Sequence, residues 1–138
     1  MGISPISHNR SLVRSKTDGL DPYGRVDRFG RVVDQIWRGC STTTNLVRIK
    51  HGYDRVGNRL YRRDYAASIQ NGLFDELYSY DGMNQLVAMQ RGRLNSTFDA
   101  LQTGTKTFGE GWSLDMTGNW TGFQQDTNGD GTWDLNQT

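Results

Sequence analysis

From residue 26 onward, apolar and polar side chains alternate in short runs, and each run breaks at Asp, Asn or Gly. Val47, Ile49, His51 and Tyr53 fall on one side of such a run, and Phe74, Glu76, Tyr78 and Tyr80 on one side of another. Period-2 alternation of this kind predicts half-buried β-strands. An outgoing strand is expected over 32–37. Hairpins are expected from 46–54 with 59–65, from 73–81 with 85–91, and from 112–115 with 119–125. Between them, 39–45 reads as a loop and 92–111 as a long polar connection. A turn over 126–131 leads into a last apolar stretch at 132–135. The one place where a short helical turn is expected is 64–72, through Ala66-Ala67-Ser68.

The breaks repeat. Tyr53-Asp54-Arg55-Val56-Gly57-Asn58-Arg59-Leu60 is the fullest copy, and Tyr80-Asp81-Gly82-Met83-Asn84-Gln85-Leu86 the next. Weaker copies are Val26-Asp27-Arg28-Phe29-Gly30-Arg31-Val32 and Leu114-Asp115-Met116-Thr117-Gly118-Asn119-Trp120. The Asp positions 27, 54, 81 and 115 are separated by 27, 27 and 34 residues. Regular periods of this size mark repeat architectures. An Asp carboxylate accepts hydrogen bonds from backbone N–H groups just ahead of it and so holds a turn. Gly30, Gly57, Asn84 and Gly118, three positions on, tolerate the positive φ that a tight strand connection needs.

Composition narrows the class. Of 138 residues 34% are apolar and mean hydropathy is −0.73, so no transmembrane helix is expected. Seventeen Gly against two Pro indicate many tight turns, and four Trp, six Tyr and five Phe are too many for a disordered chain. Residues 1–20 read as a polar, flexible lead-in without a signal peptide, and 21–138 as the repeat region. Net charge is +1, yet residues 1–63 hold thirteen Lys/Arg against five Asp, while 64–138 hold three against ten acids. The basic residues are strewn between hairpins and not gathered in a run. The reading is therefore mutual neutralisation of halves or neighbours, with no nucleic-acid partner.

Candidate chemistry is sparse. Cys40 is the only cysteine, which excludes a disulfide framework. His51 reads as a half-buried strand residue, and His8 falls in the lead-in. No phosphate-binding glycine loop is present, so the chain is expected not to be an enzyme. The exception is Asp126-Thr127-Asn128-Gly129-Asp130-Gly131-Thr132-Trp133-Asp134. Asp126, Asn128, Asp130 and Asp134 match the oxygen positions of a calcium loop, but Gln137 stands where that loop wants a bidentate Glu. Asn128-Gly129 and Asp130-Gly131 are equally good turn dipeptides. Two readings stand, a turn alone and a calcium-stabilised turn. No Lys or Arg follows Lys106, so the loop's charge must be offset from elsewhere in the fold or by a cation.

The motif, its multiplicity and its period resemble the YD repeat of the rearrangement-hotspot (Rhs) family of bacterial proteins, from about residue 26 to the C-terminus. Val26 and Leu114 depart from its Tyr, Asn84 from its Gly, and the last interval is longer. The resemblance implies a curved open sheet of antiparallel hairpins, about four repeats long and part of a larger β-shell. It also implies an extracellular or cell-surface setting, with neighbouring repeats or a larger assembly as partners. Such shells enclose or present a C-terminal toxin or effector; no toxin segment is recognised in this chain. The resulting expectation is a non-enzymatic structural segment. The alternative is a carbohydrate-binding surface presenting Tyr53, Tyr80, Trp112 and Trp120 to a glycan.

Overall fold

The structure, a computed structural model, describes residues 25–38, 45–65 and 73–138. The expected lead-in, the Cys40 loop and all but the first two residues of the expected helical turn lie outside the described residues. Among the described residues eight strands follow one another: β1 (Asp34–Arg38), β2 (Asn45–Tyr53), β3 (Arg59–Asp64), β4 (Asp75–Tyr80), β5 (Leu86–Gly92), β6 (Phe108–Leu114), β7 (Trp120–Asp126) and β8 (Leu135–Gln137). They form one antiparallel sheet in the order β1-β2-β3-β4-β5-β6-β7-β8. The chain is all-β and built of hairpins, as the alternation predicts. The sheet is open and uncurled, with β1 and β8 at its two edges.

Because sheet order equals chain order, the sequence's charge asymmetry becomes a spatial one. The arginine-rich strands lie at the β1 side and the acidic segments at the β8 side. Charges are offset mostly within each half, by Arg31–Asp27 and Arg48–Asp34 on one side and Lys106–Asp126 on the other, while Glu76 on β4 receives Arg62 of β3 at 3.9 Å and Arg91 of β5 at 3.0 Å. Tyr78 donates to the same carboxylate at 2.6 Å, and burial together with that bond pushes its phenol well above the usual range.

A single sheet buries little by itself, and the connection over 93–107 adds to the Ile36 and Met89 side chains buried on the strands. It is not the extended polar link the composition suggests. Leu94 pairs with Leu101 in an isolated bridge and is 1% exposed, the most buried apolar side chain described. The flap is tied down by Asp75, a buried carboxylate on β4 that accepts from Asp64 N at 2.9 Å and from Leu94 N at 3.0 Å. Its ladder partner Gly92 leaves the room. A Cβ there would stand 2.6 Å from the Thr105 carbonyl oxygen, so only glycine lets the flap's backbone lie against the strand.

Candidate functional site

The four motif copies all lie along one edge of the sheet as the same three-residue turn. In each, the Asp N–H donates to the carbonyl four residues on: Asp27 to Arg31 at 2.9 Å, and Asp54, Asp81 and Asp115 to Asn58, Gln85 and Asn119 at 3.0 Å. The residue three positions after the Asp has positive φ in every copy: Gly30 80°, Gly57 106°, Asn84 63° and Gly118 87°. Asn84 thus adopts the conformation that glycine adopts elsewhere, which Asn tolerates better than other side chains do. The ladder register shifts beside the Asp54, Asp81 and Asp115 turns, as a bulge-closed hairpin requires.

Each carboxylate is consumed inside its own turn. Asp54 Oδ1 accepts from the N–H groups of Val56, Gly57 and Asn58 at 3.0, 2.8 and 2.8 Å. Asp27, Asp81 and Asp115 repeat this from positions two and four residues on. At Asp54, burial alone would raise the pKa, and the hydrogen bonds from Asn58, Gly57 and Val56 override it and lower it. Asp115 is held well below the usual carboxylate range by the Asn119 and Thr117 side chains and N–H groups.

Between turns runs a second set of bonds that motif spacing alone does not disclose. Tyr53, on the strand entering one turn, donates its hydroxyl to the Val32 carbonyl of the preceding repeat at 3.1 Å. Tyr80 donates to the Arg59 carbonyl at 3.0 Å, across the same 21-residue separation. In the first two turns the closing residue also reaches forward. Arg31 donates to the Asp54 carbonyl at 3.2 Å, and Asn58 Nδ2 to Asn84 Oδ1 at 3.0 Å. The Arg31 guanidinium lies over the Tyr53 ring at 4.6 Å. The fourth copy has Leu114 at the tyrosine position and lacks the hydroxyl.

The aromatic residues proposed to meet a glycan share one face: Tyr53, Tyr80 and Trp112 lie two residues beyond His51, Tyr78 and Glu110 on that face, and Trp120 pairs with Leu114 of the same face across a register shift. The Tyr53 and Tyr80 hydroxyls are spent on carbonyls. Trp112 packs against Phe123 at 6.2 Å, and the exposed Trp120 stacks on Phe123 at 6.1 Å. A cleft of about 220 Å³ that the sequence does not reveal opens on the opposite face. Gly109 and Gly111 form its floor, and Gln90, Gln124, Lys106 and Trp133 stand around it.

In the loop after β7, the cation expected for Asp126 is Lys106 itself. Its ammonium stands 2.7 Å from Asp126 Oδ2, while Gly129 N and Gly131 N reach the same carboxylate at 2.6 and 2.9 Å. Asp126 is fully buried, and the Lys106 bond leads in drawing its pKa down to about 2. Asp130 accepts from Thr132 N at 2.8 Å and Asp134 from Thr127 N at 2.7 Å. These oxygens therefore face N–H groups of their own loop. Among the described residues no three or more His, Cys, Asp or Glu side chains are grouped to hold a metal ion. His51 is a half-buried strand residue, and burial first, then Arg59 and Arg62, hold its imidazole below the usual pKa.

No family model matches the chain, and a search of curated proteins finds no match. No helix among the described residues is long and apolar enough to cross a membrane.

Proposed function

We propose that this chain is a non-enzymatic structural segment of a YD-repeat, Rhs-like β-scaffold, whose hairpins add to neighbouring repeats to enclose or present a partner domain. The observation that carries the reading is the recurrent tyrosine latch, in which Tyr53 and Tyr80 tie equivalent carbonyls of preceding repeats across equal chain separations. A turn motif alone serves any hairpin; a bond from each repeat to the last serves an array, whose stability is a sum of units and nearest-neighbour contacts. The test is in-frame duplication of residues 53–79. An interchangeable unit is accommodated with undiminished cooperative unfolding and added strand signal in circular dichroism. Collapse of the fold on duplication refutes the reading.

A second reading, a glycan-binding surface, is favoured by the cleft over Gly109 and Gly111. Its volume is below the roughly 300–1,000 Å³ of sites that bury drug-sized ligands, and it offers an indole beside two amides, the lining that orients a small polar ring. Calorimetric titration with mono- and disaccharides, repeated on Trp133→Ala, decides it. Saturable binding lost in the variant supports this reading, and its absence removes it.

A further inference from the structure

Apolar side chains occupy the apices of all four turns. Phe29, Val56 and Met83 stand two residues after the motif Asp, and Met116 one residue after it. Their exposures are 62%, 69%, 51% and 87%. Turn mechanics do not call for them, because the bonds to the Asp carboxylates at Phe29, Val56 and Met83 come from backbone N–H groups. Successive turns are two strands apart, so the apices recur at about 10 Å and the row spans roughly 30 Å. The four tips therefore recur in sequence along one end of the strands. Arg28 and Arg55, both exposed, are the charged residues at these apices. The motif carboxylates sit one position back, turned onto the N–H groups of their own turns. The outermost layer is therefore apolar and cationic.

We infer that this edge docks on an anionic lipid surface, with the four apolar tips entering the headgroup region and Arg28 and Arg55 meeting lipid phosphates. Charge complementarity selects this occupant over the same turn end of a second copy, which offers arginines and no acidic apex. Stable peripheral attachment takes two signals, a buried apolar element and a basic one, and the row supplies both. The inference goes beyond the scaffold reading and does not depend on it; the latch variants discussed below leave the apices intact.

The experiment is co-sedimentation of the full chain with phosphatidylcholine vesicles, with and without phosphatidylserine, at low and high salt. Binding is expected to the anionic vesicles and to weaken with salt. Arg28→Gln with Arg55→Gln should lower partitioning about 30-fold on anionic vesicles and little on neutral ones, at about 1 kcal/mol per arginine. Phe29→Ser with Met83→Ser should lower it about tenfold on both. Unchanged circular dichroism and melting show that each variant remains folded. Three results overturn the inference: no sedimentation with anionic vesicles at low salt, sedimentation insensitive to the serine variant, or self-association that the serine variant abolishes without any lipid binding.

Discussion

Replacing the latch tyrosines by phenylalanine isolates the hydroxyl, because the ring and, at Tyr53, its contact with the Arg31 guanidinium remain. The two bonds, at 3.1 and 3.0 Å, are exposed, so each is expected to contribute about 0.5–1.5 kcal/mol. The latches sit two strand spacings apart, about 10 Å, so Tyr53→Phe and Tyr80→Phe should add, giving about 1–3 kcal/mol together. The converse experiment is more demanding. In the first two latches the accepting carbonyl belongs to the residue whose ladder position faces the one just before the tyrosine. Extending the pairing of Ala88 with Gly111 places Leu86 opposite Ser113, so a hydroxyl at position 114 meets the Leu86 carbonyl. Leu114→Tyr should therefore be more stable than Leu114→Phe by about the increment that Tyr80 holds over its phenylalanine variant. Urea unfolding at fixed pH measures all four variants, with thermal melting as a second readout at roughly 3–5 °C per kcal/mol. If phenylalanine matches tyrosine within about 0.3 kcal/mol at 53 and 80, or if tyrosine gains nothing over phenylalanine at 114, the latch is not the coupling between repeats.

Leu94→Ala should cost about 2–5 kcal/mol by opening a cavity under the flap, measurable by chemical denaturation; a loss under 1 kcal/mol would mean that the flap does not form the core. Gly57→Ala, at φ 106°, should destabilise by about 1–2 kcal/mol, while Gly82→Ala, with open space around its Cβ position and no positive φ, should be near neutral; equal effects refute the turn assignment. Asp126 is depressed from the usual 3.8 to about 2 in the fold, so its stabilising contribution is complete above about pH 4 and is lost as pH falls towards 2. Lys106→Met should lower Tm at neutral pH and flatten that acid dependence, which melts from pH 5 to 2 would show. Melting curves with calcium and with chelator at matched ionic strength should coincide, because Lys106 and loop N–H groups already hold the Asp126 oxygens; a calcium shift that Asp130→Ala abolishes would restore the cation reading.

The strands and turns were legible in the sequence because both rest on local physics. Alternation sets strand faces, and an Asp followed three residues later by Gly or Asn closes a turn with bonds confined to five consecutive residues. Even Asn84, a departure from the repeat's Gly, obeys the same backbone requirement. The latches were half visible: Tyr53 and Tyr80 recur at the repeat interval, but a hydroxyl's acceptor 21 residues back depends on strand register. The role of 93–107 was hidden because its composition is polar, and only the docking of Leu94 beneath the Asp75 anchor makes it core. The Lys106–Asp126 pair was equally out of reach, with twenty residues separating its partners in the chain and a hairpin bringing them together. The sequence by itself determined where the chain turns and which residues close each turn. Tertiary structure decided which carbonyl each tyrosine meets, which loop covers the sheet and which cation answers Asp126, because these depend on strand pairing and chain return, which local spacing does not encode.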